Sequence, residues 1–251
     1  MKELKNIAYR EHEACLLDLY LPDTEHFPVF VYFHGGGLEK GSRASVGGFL
    51  TELISRGIAV VSADYRMFPE AKYPDFIEDA ACAVAWVKRH IGAYGACDGI
   101  FVGGSSAGGY LSMMLCFDER YYRAAGIESG DIAGYVHDAG QPTAHFNVLH
   151  YAGIEPKRVI VDETAPLFYI GMRESYPPMH FIVSDNDMQN RYEQTMLVLS
   201  TLKHFGHEAT VSHTLMHGKH CAYCHAEKGA RDENGEHVFG VTIRTFIQRY
   251  L

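Results

Sequence analysis

Short apolar runs at residues 29–33, 58–63, 99–103 and 179–184 each end at a Gly, Ser, Asp or His. A run that is apolar throughout must be covered on both faces, as in the interior of a parallel sheet. Between these runs lie stretches with helical spacing at 46–56, 76–90 (with the single Trp86), 107–117 and 192–205. Strand and helix therefore alternate along the chain. This restricts the fold to the α/β class, a mostly parallel sheet with helices on both faces. Residues 15–21 place Leu17, Leu19 and Leu21 on one face of a further strand, and residues 7–10 can pair with it antiparallel as an edge hairpin. Residues 208–215 read as another strand and 238–251 as a closing helix. At 251 residues, 47% of them hydrophobic, the chain can bury one substantial core, so 1–251 is expected to be a single domain. The stretch 139–178 is rich in Pro, His, Tyr and Phe and has no clean period; at about forty residues it is a candidate small lid insertion.

Gly104-Ser105-Ser106-Ala107-Gly108 follows an apolar strand and opens an apolar helix. That context suits a G-x-S-x-G nucleophile elbow, which holds its central serine on a turn so tight that only small neighbours fit. A Gly-rich turn binding phosphate at a helix N-terminus is the competing reading. His34-Gly35-Gly36-Gly37, directly after the strand at 29–33, argues for the elbow, because consecutive glycines leave backbone N–H groups free to approach a substrate oxygen. The N–H groups of Gly35, Gly36 and Ala107 are expected to form the oxyanion hole, with His34 supporting the loop.

With HGGG, Asp64-Tyr65-Arg66, Pro69-Glu70, Tyr73-Pro74, Asp79, Trp86 and GSSAGG in this order, the chain resembles the bacterial carboxylesterase branch of the hormone-sensitive-lipase-like family. The likeness is close over residues 15–117 and loose beyond. It implies the α/β-hydrolase fold, a mostly parallel sheet with an antiparallel N-terminal edge, and a serine esterase without a cofactor. It also implies that Asp64, Arg66 and Glu70 are mainly structural. One departure lies in the elbow, where Ser105 stands in place of the acidic residue common in the family. Ser106, with glycine at both flanking motif positions, is the expected nucleophile.

A serine nucleophile needs a histidine to take its proton and a carboxylate to orient that histidine, in the chain order Ser, Asp or Glu, His. After the strand at 179–184 comes Asp185-Asn186-Asp187-Met188. Relatives place the catalytic Asp three residues after a glycine, and Ser184 occupies that glycine's position, which favours Asp187; Asp185 stays open as the alternative. In Met216-His217-Gly218-Lys219-His220-Cys221-Ala222-Tyr223 the family pattern favours His220, with His217 as the alternative.

Twenty-two Lys and Arg against 31 Asp and Glu give a net charge of -9, which disfavours nucleic acid and anionic membranes as partners. No secretory or transmembrane stretch is found, and the six cysteines sit mostly in apolar segments, so a cytoplasmic protein with reduced thiols is expected. Cys221-x-x-Cys224 beside His225 raises the question of zinc. It offers one cysteine pair where a structural site needs four ligands, so no metal is expected.

The expected activity is hydrolysis of short-acyl esters, acetyl above all, of a carbohydrate or small metabolite. HGGG begins at residue 34, so no N-terminal helical cap is expected, and the aromatic and polar residues of 139–178 suit a polar alcohol moiety. Two other readings stay open: amide cleavage as in arylformamidases, which look similar through HGG and G-x-S-x-G motifs, and ligand binding without catalysis, as in the related plant gibberellin receptors.

Overall fold

The computed structural model describes residues 1–224 and 230–251. Its strands are β1 (Lys2–Ala8), β2 (Leu16–Leu21), β3 (His26–Phe33), β4 (Ala59–Ala63), β5 (Ala96–Ser105), β6 (Gly134–Asp138), β7 (Met179–Asn186) and β8 (Val211–Lys219). The α-helices are α1 (Phe49–Ser55), α2 (Asp75–His90), α3 (Ala107–Phe117), α4 (Arg120–Ala124), α5 (Phe146–Tyr151), α6 (Arg191–His204) and α7 (Val238–Arg249). The strands form one sheet in the order β1-β2-β4-β3-β5-β6-β7-β8. It is parallel from β4 to β8, while β2 runs antiparallel to β4 and β1 antiparallel to β2. The expected architecture, antiparallel edge included, is therefore present.

Alternation along each strand divides the core between the two faces of the sheet. Leu17, Leu19, Val29, Val31, Phe33, Val61 and Val102 pack with side chains of α2, α3 and α6. Tyr20, Phe30, Tyr32, Val60, Phe101, Val136 and Ile182 pack with side chains of α1 and α7. Each such Val, Leu or Phe contributes roughly 1.5–3 kcal/mol relative to leaving it in water.

The strand order also fixes where a site can form. From β3 the chain passes outward to β4 and returns to the other side of β3 as β5. The loops after β3 and β5 therefore leave neighbouring strands in opposite directions, opening a crevice at the carboxyl ends of the strands.

Strand β6 is absent from the sequence reading. It starts at a glycine and ends in His137 and Asp138, both buried, so its five residues lack the continuous apolar run that marks the other interior strands. At the far edge β7 runs on to Asn186, and β8 covers Val211–Lys219 after a single 3-10 turn at Glu208–Thr210. Residues 185–186 and 216–219, read as loop, are strand. In 139–178 the structure has α5 and a 3-10 turn at Pro166–Tyr169. Gln141, Thr143, His145 and Asn147 of this stretch are buried.

Candidate active site

The turn between β5 and α3 holds Ser106 at φ 57°, ψ -111°, a left-handed conformation that costs a non-glycine residue of order 1–3 kcal/mol. The surroundings enforce it. The Ser106 N–H donates to the Asp138 carbonyl at 2.8 Å, tying the turn to the end of β6. A Cβ on Gly108 would lie 1.9 Å from the Phe33 carbonyl oxygen, so α3 packs against β3 only because that residue has no side chain.

His220 follows β8, and its Nε2 lies 2.8 Å from Ser106 Oγ. Its Nδ1 lies 2.5 Å from Asp187 Oδ1, in the loop after β7. The Asp187 side chain is nearly inaccessible and also accepts hydrogen bonds from the Ser184 hydroxyl at 2.9 Å and the Met188 N–H at 2.7 Å. Ser184, at the position where the resemblance implies a glycine, thus adds a hydroxyl donor that anchors the carboxylate. Burial is the largest single effect on both partners and disfavours charge on each. It is outweighed together by their mutual hydrogen bond and attraction, the Ser184 and Met188 donors to Asp187, and Cys221 beside His220, which hold the Asp187 carboxyl below and the His220 ring above their usual ranges.

The two alternative residues pair with each other. His217 Nδ1 lies 2.6 Å from Asp185 Oδ2, and the Gly218 N–H donates to Asp185 Oδ1 at 2.9 Å. The His217 side chain is 92% exposed, so this is a solvated pair on the extended ends of β7 and β8. Ser105 is buried, and its Oγ accepts from the Tyr32 hydroxyl at 3.0 Å.

Gly35 and Gly36 line the cavity in front of Ser106, and Ala107 opens α3, where the first N–H has no partner within the helix. Gly36 has φ 124°, and a Cβ there would lie 1.8 Å from the Lys40 carbonyl oxygen. His34 Nδ1 donates to the Gly35 carbonyl at 2.7 Å. Because the peptide is planar and trans, fixing that carbonyl turns the Gly36 N–H the opposite way. His34 is itself buried, stacks on Tyr65, and accepts the Tyr65 hydroxyl on its carbonyl at 2.8 Å. Asn147, from α5, donates to the Gly37 carbonyl at 2.6 Å, a link between the 139–178 stretch and the glycine loop that the sequence reading missed. Asp79 is fully buried and takes a two-pronged ion pair from Arg66 at 2.7 and 2.9 Å, which ties the start of α2 to the segment after β4.

The cavity measures about 660 Å³. Tyr32, Glu39, Lys40, Phe146, Asn147 and Met188 contribute to its walls beside Ser106 and His220. Cys221 and Cys224 line it as well and converge with Asp138, a partner that spacing does not reveal. His225 lies outside the described residues. Among the described residues no helix is long and apolar enough to cross a membrane.

The family model described as BD-FAE matches residues 17–147. Among curated proteins the chain is 42% identical to the esterase LipI of Mycobacterium tuberculosis, over 38% of this chain and 30% of that one. It is 33% identical to the esterase LipC of the same organism, over 51% of this chain and 33% of the relative. It is also 33% identical to a probable isoprenylcysteine alpha-carbonyl methylesterase, ICMEL2, of Arabidopsis thaliana, over 49% and 30%. The chain thus matches about a third of the length of these relatives. Among solved structures, esterase B of Lactobacillus rhamnosis superposes with a TM-score of 0.80 at 18% identity, covering 98% of this chain and 85% of that one. A truncated carbohydrate esterase from gut microbiota superposes with a TM-score of 0.76 at 17% identity, covering 100% and 96%. These likenesses show the α/β-hydrolase fold.

Proposed function

Because the chain belongs to the BD-FAE family, we propose that it is a serine carboxylesterase in which Ser106, His220 and Asp187 form the catalytic triad. The observation that carries this reading is the unbroken line of hydrogen bonds from Asp187 through His220 to the strained Ser106. His220 takes the Ser106 proton as Oγ attacks the ester carbonyl carbon, and Asp187 orients the ring and stabilises its charge. The N–H groups of Gly35, Gly36 and Ala107 hold the oxyanion. His220 then protonates the departing alkoxide and, as a base again, activates the water that releases the acid. The esterase names of the curated relatives support the reaction class. A fluorophosphonate probe tests it directly: it should label Ser106 in the wild type, and an unlabelled, folded protein would point instead to a binding function.

The preferred substrates in this reading are short-acyl esters, acetyl above all, of a carbohydrate or other small polar alcohol. Glu39, Lys40 and Asn147 give the cavity wall polar groups beside Phe146 and Met188, and residues 139–178 act as a small lid. Each further buried CH₂ gains its roughly 0.8 kcal/mol only against apolar wall, and Glu39, Lys40 and Asn147 interrupt that wall. Across p-nitrophenyl esters from acetate to decanoate, kcat/KM should peak at acetate or butyrate; a maximum at octanoate or beyond contradicts the assignment. The cytoplasm is the compartment that fits, since all six cysteines are free thiols.

The triad also sets a pH dependence. As the base, His220 must be neutral in the free enzyme; burial pulls its pKa down, but Asp187 and Cys221 together hold it above the usual range. Activity should therefore fall as the pH drops, along a limb centred above the roughly 6.5 of an unperturbed imidazole. The residual activity of Asp187→Asn should show that limb moved to lower pH. A wild-type limb centred below the imidazole value would contradict the pairing.

A further inference from the structure

Asp138 ends β6 at full burial, and its carboxylate takes no part in the proposed triad. The hydrogen bonds it receives among the described residues come from neutral donors. The Tyr223 hydroxyl lies 2.6 Å from Oδ1, and Cys224 Sγ and Cys221 Sγ lie 3.2 and 3.9 Å from Oδ2. Burial pushes the Asp138 carboxyl up, and the cationic groups that act on it, His220 and Arg191, do so without a hydrogen bond or ion pair to it, so a cation bound directly to the carboxylate would offset the cost of burial further.

The two sulfurs and a carboxylate oxygen of Asp138 lie within 4.8 Å of one another, and all three residues are buried. In a tetrahedral zinc site, bonds of about 2.3 Å to sulfur and 2.1 Å to oxygen set ligand separations of about 3.6 Å for a sulfur–oxygen pair and about 3.8 Å for two sulfurs. The observed 3.2 and 3.9 Å lie on either side of the sulfur–oxygen value, each within about 0.4 Å of it. A 3-10 turn at Ala222–Cys224, closed by the Cys224 N–H on the Cys221 carbonyl at 3.1 Å, brings the two cysteines together. Tyr223 holds Oδ1 and leaves Oδ2 facing the sulfurs, as hydrogen bonds behind metal ligands commonly do. Ser105, Cys221 and Cys224 all line the cavity, so a fourth ligand to an ion held there would come from its water, with the Ser105 hydroxyl 3.6 Å from Cys224 Sγ beside it.

We propose that Asp138, Cys221 and Cys224 form a binding site for a soft divalent cation such as zinc, adjacent to the triad and separate from it. Two thiolates select zinc or cadmium over magnesium or calcium, and the thiol protons pass to solvent on binding. The site stands on these contacts alone and does not depend on the catalytic reading. A bound ion would fix the backbone at Cys221, the residue after His220, and would so bear on the triad.

Titration of the reduced, full-length protein with cadmium, followed by the ultraviolet thiolate-to-metal charge-transfer band, tests the site. The expected result is a saturable band at one ion per chain, displaced by zinc. It should vanish in a Cys221→Ser/Cys224→Ser double variant and persist in Cys82→Ser/Cys97→Ser, while Asp138→Asn should bind at least about 10-fold more weakly. In the wild type, cadmium should also protect Cys221 and Cys224 from alkylation, read by peptide mass, which needs no variant to fold. A band retained in the Cys221/Cys224 double variant, an absence of saturable binding, or alkylation unaffected by cadmium would overturn the proposal.

Discussion

Ser106→Ala is expected to lower the kcat for ester hydrolysis by roughly 10⁴-fold or more, on the scale seen when a triad nucleophile is removed. Ser105→Ala is expected to retain most of the activity. The two serines are adjacent in sequence, yet the elbow sends their side chains to different partners. Ser106 Oγ meets His220 Nε2, whereas Ser105 Oγ receives the Tyr32 hydroxyl within the cavity wall. Loss of Ser105 leaves that tyrosine hydroxyl short of an acceptor, an effect on stability of about 1–3 kcal/mol and not on the attacking atom. Steady-state rates with p-nitrophenyl acetate, alongside circular dichroism of both variants, separate the cases. The reverse ranking of the two variants would mean that the elbow has been misread.

The second large effect concerns the base and its carboxylate. His220→Ala and Asp187→Asn should each lose roughly 10⁴-fold in kcat while staying folded, because the pair orients and transfers a proton. His217→Ala and Asp185→Asn should change kcat little. Their pair is exposed to solvent, where an ion pair contributes at most about 1 kcal/mol, and it makes no hydrogen bond to Ser106. Should the His217 or Asp185 variant prove the more damaging, the residues on the extended ends of β7 and β8 would have to reach the serine in a different arrangement.

Between these two Asp–His pairs the sequence reading had only family spacing to choose by, and the reason is physical. Asp185 and Asp187 are two residues apart and His217 and His220 three, so either pair is compatible with strands whose ends are uncertain by that much. The structure extends β7 to Asn186 and β8 to Lys219, with Ser184 opposite Met216 and Asn186 opposite Lys219. That register makes Asp185 and His217 neighbours at the sheet edge and leaves Asp187 and His220 in the loops that turn back over Ser106. Strand β6 escaped for a different reason. A periodicity reading looks for apolar residues, and this strand is buried with a histidine and an aspartate at its end, Ser112 serving His137 at 2.9 Å and Tyr223 serving Asp138 at 2.6 Å.

By itself the sequence determined what depends on consecutive residues. The alternation of apolar runs with helical stretches specified the sheet and its covering helices, and small residues around Ser106 and after His34 specified two tight turns. Such features are local, since burial on both faces and close backbone approach are imposed on each segment by its own side chains. Only the tertiary structure decided which distant groups meet: Asp187 and not Asp185 at His220, Asn147 on the Gly37 carbonyl, and Asp138 against Cys221 and Cys224, 83 and 86 residues further along the chain. Those meetings follow from strand order and register, which are set by the packing of the whole sheet, so no stretch of sequence encodes them alone.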